Sequence, residues 1–164
     1  MTKHTLLKHS VAALALLGAL PAAAGPATYA GALCTSVSGS GTPAIYRSGR
    51  LVNTTGSTLE VVCPVQRNIN LTNLNEDVSV LVTVVDASLD KDVRCTATVS
   101  EPDGTVVLAG SGQTSGADVN NAKSISIDLA PALATFFGYI TVRCEIPETY
   151  AGANSVLASF YISE

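Results

Sequence analysis

The segment 77–86, DVSVLVTVVD, constrains the fold most, because apolar and polar residues alternate along it. Successive side chains of a β-strand point to opposite faces, so this period of two predicts a strand. One face of the strand carries four valines, Val78, Val80, Val82 and Val84. The other face is mixed, with Leu81 and Val85 among polar residues. A strand with apolar residues on both faces belongs near the middle of a sheet.

The same period recurs in shorter segments along the rest of the chain. These are residues 58–63, 93–100, 105–109, 124–129, 139–146 and 155–163. The run Glu101-Pro102-Asp103-Gly104 is the strongest of the turn signals between them. Residues 67–75 predict an eighth short strand or an extended loop, and residues 131–135 hint at one helical turn. The pattern predicts an all-β chain, folded as a single antiparallel β-sandwich of about seven or eight strands.

The chain has four cysteines, Cys34, Cys63, Cys95 and Cys144, at spacings of 29, 32 and 49 residues. Zinc sites need closely spaced cysteine pairs, so this even count favours two disulfides. Three of the four fall on the apolar faces of their own strands, where a disulfide inside a core begins. Four cysteines allow three pairings, which the sequence alone does not distinguish. Our prediction is the sequence-neighbour pairing, Cys34–Cys63 with Cys95–Cys144.

Residues 1–24 have the three parts of a secretory signal peptide. Lys3 and Lys8 form a basic start, the run VAALALLGAL is the apolar core, and three alanines then supply small residues for cleavage. We predict cleavage after Ala24, with cleavage after Ala30 as the alternative, and a secreted or periplasmic protein. The sequence after the signal peptide contains no apolar run long enough to span a membrane.

The sequence beyond the signal peptide divides into two parts. Residues 25–43, GPATYAGALCTSVSGSGTP, are rich in small residues and predict a flexible N-terminal leader. Residues 44–164 contain the alternating segments and predict the β-sandwich domain. Within that domain, residues 110–122, GSGQTSGADVNNA, predict an exposed mobile loop.

Removal of the signal peptide changes the composition. Both histidines of the chain lie within it, so Ser-His-Asp and Cys-His catalytic arrangements are excluded from the mature chain. Loss of Lys3 and Lys8 leaves seven of the nine basic residues against thirteen acidic ones, a net charge of −6. A chain this acidic is unsuited to nucleic acid or to an anionic membrane.

The acidic segment 86–92 is a candidate calcium site, because oxygen-bearing side chains occupy every second position. However, Lys91 stands where a calcium loop needs glycine, and Ala97 stands where a bidentate glutamate closes the shell. We therefore interpret Asp86, Asp90 and Asp92 as hydrated carboxylates of a hairpin connection. The sequence predicts no metal ligands and no cofactor-binding residues.

The remaining candidate sites are weak. Lys91 and Lys123 are the lysines available to a Ser-Lys dyad, and both fall where a solvated amine is expected. Asn53 and Asn70 begin N-glycosylation sequons, which matter only in a eukaryotic source. A two-carboxylate hydrolase needs only Asp and Glu, but the chain lacks tryptophan for a sugar cleft. We predict no catalytic residues.

Several short motifs follow one another along the chain, around and between the cysteines. They are Tyr46-Arg47-Ser48-Gly49, Leu51-Val52-Asn53, Val62-Cys63-Pro64-Val65-Gln66-Arg67, Val84-Val85-Asp86, Val93-Arg94-Cys95 and Val142-Arg143-Cys144-Glu145-Ile146-Pro147. On these motifs the chain resembles a group of small secreted bacterial proteins of unknown function, with four cysteines and a Val-Cys-Pro-Val-x-Arg motif. The resemblance implies a bacterial source and a shared sandwich with paired cysteines, and it implies no activity.

These observations predict an exported, non-catalytic binding or structural module with a protein or glycan partner. Loops 34–43 and 110–122 are the expected contact regions, with Tyr46 or Tyr150 available for stacking. Two alternatives stay open. A pilin-like or surface-assembly subunit would exchange its apolar C-terminal strand, residues 155–163. A small carboxylate-based hydrolase would need two facing carboxylates in a pocket.

Overall fold

The structure, a computed structural model, describes residues 26–38, 42–46, 48–66, 77–129 and 138–163. Four sequence predictions lie outside the described residues. They are the signal peptide over residues 1–24 with its cleavage site after Ala24, the segment 67–75, the helical turn at 131–135 and the sequon at Asn70.

The described residues form eleven strands and one 3-10 turn. The strands are β1 Ala27–Ala30, β2 Thr35–Ser38, β3 Ala44–Ile45, β4 Leu51–Val52, β5 Leu59–Val65, β6 Val78–Asp86, β7 Arg94–Ser100, β8 Val106–Gln113, β9 Asp118–Leu129, β10 Tyr139–Ile146 and β11 Val156–Ser163. The 3-10 turn Gly31–Leu33 joins β1 to β2. Strands β5 to β11 match the seven alternating segments of the sequence, and four short strands precede them.

The strands pair into two antiparallel sheets. The six-stranded sheet has the order β3-β4-β11-β6-β9, and β1 also pairs with β11. The five-stranded sheet has the order β2-β5-β10-β7-β8. Each strand pair is antiparallel. The predicted all-β antiparallel sandwich is therefore confirmed.

The core lies between the two sheets. The valines of β6 that alternate in the sequence are all buried there, as are the inward residues of β10. Phe160 of β11 is the largest fully buried side chain among the described residues. Each buried aliphatic or aromatic side chain contributes roughly 1.5–3 kcal/mol relative to an exposed one.

Both predicted disulfides form, Cys34–Cys63 and Cys95–Cys144, and no cysteine is free. Cys95 lies directly opposite Cys144 on the neighbouring strands β7 and β10. Cys34 immediately precedes β2 and bonds to Cys63 of β5, the strand that pairs with β2. All four cysteines are buried on the inner side of the five-stranded sheet. Each disulfide thus joins two neighbouring strands of that one sheet.

The structure corrects the prediction of a flexible leader over residues 25–43. Within its described part, β1 pairs with β11 and β2 pairs with β5. The ring of Tyr29 stacks on the ring of Phe160, with centroids 5.0 Å apart. Gly31 packs so closely that an added Cβ would lie 2.2 Å from the carbonyl oxygen of Leu157. The small side chains concealed the alternation in the sequence, and backbone pairing holds residues 27–30 and 35–38 in place.

The structure also corrects the prediction of a mobile loop over residues 110–122. β8 and β9 occupy most of this segment. Gly110 and Gly112 lie at inward positions of β8, where an added Cβ would come within 2.9 Å of Leu129 and 2.6 Å of Ile125 respectively. These glycines therefore let β8 approach the side chains of β9 in the other sheet closely, and they are not signs of mobility.

Candidate functional site

A polar groove of about 400 Å³ lies on the outer face of the five-stranded sheet. Alternate residues of four strands line it: Val62 from β5, Arg94, Thr96 and Thr98 from β7, Ser111 from β8, and Thr141, Arg143 and Glu145 from β10. These are the outward positions of the alternating segments whose inward positions build the core. The groove is therefore a direct product of the sheet, and its side chains sit on strands instead of loops.

Strand register fixes which groove residues are neighbours. Arg143 lies between Val62 on one side and Thr96 on the other. One row further along β10, Thr141 lies opposite Thr98, and their hydroxyl oxygens are 2.7 Å apart in a hydrogen bond. One row in the other direction, Glu145 lies opposite Arg94.

The two arginines of the groove differ in their partners. Arg143 forms an ion pair through Nε with Glu60 Oε1. Arg94 is exposed, and its guanidinium makes no hydrogen bond or ion pair to any residue that the structure describes. Its five N–H donors are consequently available to a ligand. Arg94 is thus the strongest free hydrogen-bond donor of the groove.

Tyr139 extends the same face of β10 beyond Thr141. Its side chain is 40% exposed, and it lies opposite Ser100 at the end of β7. Along one strand, alternate positions therefore present an aromatic ring, a hydroxyl, a guanidinium and a carboxylate.

The Cys95–Cys144 disulfide lies on the opposite side of the sheet from the groove. Arg94 and Thr96 flank Cys95 in β7, and Arg143 and Glu145 flank Cys144 in β10. Because neighbouring residues of a strand point to opposite faces, the disulfide holds these two strands together beneath the groove. This arrangement limits the freedom of the strands that carry the polar side chains.

The acidic segment 86–92 has a structural role at Asp86. This carboxylate is fully buried, and its Oδ1 accepts a hydrogen bond from the Ser88 backbone N–H at 3.1 Å. Its Oδ2 accepts bonds from the Val93 N–H at 3.3 Å and from the Thr114 hydroxyl. The described residues contain no cluster of three or more potential metal ligands. Asp86 is therefore oriented toward backbone donors within the protein.

Asp90 and Asp92 do not join Asp86. Asp92 accepts hydrogen bonds from the Gly116 N–H at 3.1 Å and from Gln113 Nε2 at 3.3 Å. Asp90 is exposed. The three carboxylates considered for calcium are thus engaged in different ways, and the structure does not bring them together around one point.

The two lysines considered for a catalytic dyad are both engaged. Lys91 Nζ lies 2.7 Å from Glu148 Oε1, and the side chain is 52% exposed. The hydrogen bond from Lys91 lowers the pKa of Glu148 below its ordinary value of 4.5. Lys123 Nζ donates to the carbonyl oxygen of Ser115 at 2.6 Å. Neither amine is desolvated in the way a dyad needs.

The sequon at Asn53 is inaccessible, because this residue is fully buried. Its Nδ2 lies 2.9 Å from the carbonyl oxygens of Ser57 and Ile146, and its Oδ1 accepts the Thr55 N–H at 3.0 Å. Asn53 therefore fixes a turn against the end of β10 and is not a glycan acceptor in the folded protein.

Sequence reasoning did not identify the groove. Tyr46 and Tyr150, the predicted stacking residues, do not line it, and residues 34–38 and 110–113 of the predicted contact loops lie largely in strands. A signal was nevertheless present: the outward positions 139, 141, 143 and 145 all carry side chains able to make polar contacts. These positions indicate a groove only when the pairing of β10 with β5 and β7 is known, and the sequence alone does not reveal that pairing.

No protein-family model matches the sequence, and no curated protein matches it either. The described residues include no helix that is long and apolar enough to cross a membrane.

Three of the solved structures that match this chain do so at low sequence identity and with TM-scores below 0.5. An arabinose-bound α-L-arabinofuranosidase matches 81% of this chain and 23% of its own length, at 13% identity and a TM-score of 0.46. A CBM2 module of the evolved Dit of Lactobacillus casei BL23 phage J-1 matches 75% of this chain and 79% of its own length, at 12% identity and a TM-score of 0.40. The enzymatically active domain of bacteriophage CBA120 tailspike protein 4 matches 84% of this chain and 18% of its own length, at 9% identity and a TM-score of 0.41. These low scores transfer no ligand or activity to the chain.

Proposed function

We propose that the protein is an exported, non-catalytic binding module that binds a saccharide on the outer face of its five-stranded sheet. The observation that carries the proposal is the groove itself: hydrogen-bonding side chains from three neighbouring strands, with Val62 from a fourth, line a concavity of about 400 Å³. This volume falls within the usual range of small-ligand sites. Export is supported by the signal-peptide pattern and by the two disulfides, which form in oxidising compartments.

A saccharide fits the chemistry of the lining. Each sugar hydroxyl both donates and accepts hydrogen bonds, as do the hydroxyls of Thr96, Thr141 and Ser111. Arg94 adds free donors, and Glu145 adds acceptors. The exposed ring of Tyr139 offers an apolar surface against which a sugar ring can pack. Because the described residues that line the groove include no aromatic ring and Tyr139 lies beyond them, we expect modest affinity.

The pairing of β11 supports a self-contained module over a strand-exchanging subunit. One edge of β11 pairs with β6, and the other pairs with β4 and β1. Phe160 from the middle of this strand is fully buried. Exchange of residues 155–163 would break all three pairings and expose this side chain.

One observation favours the hydrolase alternative. Glu60 and Glu145 lie directly opposite each other on β5 and β10, so two carboxyl side chains are cross-strand neighbours, as a two-carboxylate mechanism requires. Against it, Glu60 is engaged by Arg143 and Glu145 is exposed, whereas a general acid needs a carboxyl shielded from water. We therefore rank binding above hydrolysis.

A glycan array probed with the mature protein tests the proposal. We expect binding to a defined set of saccharides, and at least a roughly tenfold loss of affinity for Arg94→Ala, equal to about 1.4 kcal/mol. Arg50→Ala is the matched control, because Arg50 is an exposed arginine outside the groove that contacts Ser48 and Tyr46. An array without binders, or equal loss in the two variants, would overturn the proposal.

The hydrolase alternative has a separate test. The saccharides bound on the array are incubated with the protein, and released reducing ends are measured. Turnover that disappears in Glu145→Gln while binding persists would replace the binding proposal with the enzymatic one.

A further inference from the structure

A second concavity, here called the end cleft, lies at one end of the six-stranded sheet. Its volume is about 460 Å³, and it shares no lining residue with the groove. Three separate segments build it: the residues after β6, the start of β9 and the turn before β11. Its apolar lining includes Ala87, Leu89, Val119, Tyr150, Ala151 and Ala153.

The end cleft exposes apolar side chains to solvent. Leu89 is 68% exposed and Val119 is 50% exposed. A single exposed apolar residue is ordinary on a protein surface, but here two large ones converge with a tyrosine and four alanines on one concavity. Such convergence is typical of an interaction site.

The turn at 150–153 gives a second observation. Tyr150 and Ala153 exchange two backbone hydrogen bonds of 2.9 Å, and Ala151 and Gly152 between them have φ values of +48° and +81°. A left-handed conformation favours glycine, yet the first of these positions carries a methyl group that lines the cleft. Ala151 therefore combines a strained backbone conformation with a side chain that forms part of the apolar surface of the cleft.

The charges around the end cleft are acidic. Asp118 lines the cleft, and its hydrogen bonds from Asn121 and from the backbone of residues 120 and 121 lower its pKa, so it is ionised at neutral pH. Asp90, next to Leu89, is an exposed carboxylate that accepts no hydrogen bond from the residues that the structure describes. Of the nearby cations, Lys91 is paired with Glu148, and Lys123 donates to the Ser115 carbonyl and acts on Asp118, so that Asp90, Asp118 and Glu148 outnumber the two lysines.

We infer that the end cleft binds a segment of a partner protein that inserts an aliphatic or aromatic side chain flanked by lysine or arginine. The apolar floor accepts the inserted side chain, and the acidic rim attracts the flanking cations. A second copy of this chain is a poorer occupant, since two acidic rims would face each other. The inference is independent of saccharide binding, because the two concavities share no residue.

The probes are three short peptides blocked at both ends, titrated into isotope-labelled mature protein and followed by amide NMR shifts. Their central sequences are Lys-Leu-Phe-Lys, Glu-Leu-Phe-Glu and Lys-Ser-Gln-Lys. We expect the first to shift amides of residues 87–90, 117–120 and 150–153, and to bind roughly tenfold more tightly than either of the others. Its affinity should fall as salt is raised.

Leu89→Ser should lower the affinity for the first peptide roughly tenfold, and Asp90→Asn should lower it by a smaller factor. Val106→Ser is the matched control, because Val106 is 55% exposed and lies outside the end cleft. Both Leu89 and Asp90 are exposed, so these variants should keep the native spectrum. The inference would be overturned if the acidic peptide bound as tightly as the basic one, or if the amide shifts lay outside the end cleft. It would also be overturned if the protein self-associated and bound no peptide, or if Leu89→Ser left the affinity for the first peptide unchanged.

Discussion

Asp86 accepts a hydrogen bond from the hydroxyl of Thr114, which ties the end of β6 to the residue after β8. The same carboxylate accepts the N–H groups of Ser88 and Val93, so it organises the connection between β6 and β7 from inside. A carboxyl group this deeply buried is stable only because hydrogen bonds within the protein replace its contacts with water.

Asp86→Ala should therefore lower the free energy of unfolding by about 3 kcal/mol, since the Ser88 N–H and the Thr114 hydroxyl lose their acceptor and the Val93 N–H keeps only the Thr114 hydroxyl oxygen. Asp90→Ala removes an exposed carboxylate from the same connection and should change stability by less than about 0.5 kcal/mol. Urea unfolding followed by circular dichroism measures both. Equal effects of the two substitutions would contradict the role assigned to Asp86.

Calcium should not stabilise the protein, because Asp86 faces backbone donors and Asp92 accepts the Gly116 N–H. A micromolar site would add about 4 kcal/mol at millimolar calcium, a thousandfold above its Kd. Thermal melts with calcium and with a chelator should overlay. An upward shift with calcium that Asp90→Asn abolishes would assign the segment 86–92 to a metal site.

The disulfides should contribute unequally to stability. In the chain-entropy treatment, loops with sequence separations of 29 and 49 residues stabilise by about 3.5 and about 4 kcal/mol respectively. Replacing Cys95 and Cys144 together by alanine should also weaken saccharide binding, because these cysteines lie beneath the groove. The Cys34/Cys63 double variant should spare binding at temperatures where it remains folded. Unchanged binding in the Cys95/Cys144 variant would argue against preorganisation of the groove.

Gly112→Ala should destabilise the sandwich by about 1–3 kcal/mol, because the added Cβ would lie 2.6 Å from Ile125 Cγ2 and the two sheets would have to separate. Gly56→Ala is the matched control, since nothing lies within 4 Å of its added Cβ. Thermal unfolding compares the two. A neutral Gly112→Ala would mean that β8 packs less closely on β9 than described.

The Lys91–Glu148 pair predicts a small pH effect. Because the pKa of Glu148 in the folded protein lies below its ordinary value of 4.5, the pair stabilises the fold above that pH and loses its effect as pH falls through the lowered pKa. Lys91→Met should remove about 0.2–1 kcal/mol at pH 7, as for other surface pairs, and nothing at strongly acidic pH. Unfolding curves across this pH range measure the difference. A constant difference would show that Lys91 stabilises by packing alone.

The sequence predicted the sandwich because the long strands carry the period of two in large side chains. Val78 to Val84 and Ile140 to Ile146 leave little choice of which face is buried. It failed where the same period is carried by small residues, as in β1 and in residues 110–113 of β8, because alanine, serine and glycine do not mark a face by hydrophobicity.

The groove could not be predicted for a different reason. Arg94 and Arg143 are 49 residues apart in the sequence, and only the pairing of β7 with β10 makes them neighbours. The disulfide pairing gave a hint of that register, since Cys95 and Cys144 lie one position beyond each arginine. The end cleft depends on three connections, whose conformations follow from buried contacts such as those of Asp86.

Both covalent cross-links lie within the five-stranded sheet, so the six-stranded sheet is held to it without a covalent cross-link, by packing, chain connectivity and hydrogen bonds such as those of Asn53 and Asp86. The sandwich is therefore mechanically asymmetric. Under denaturant or tension, the layer that contains β6 and β11 can loosen while β2–β5 and β7–β10 remain tethered. Amide hydrogen exchange should accordingly be slowest beneath the groove, and the end cleft, whose walls extend from the untethered layer, should be the first of the two surfaces to lose its shape.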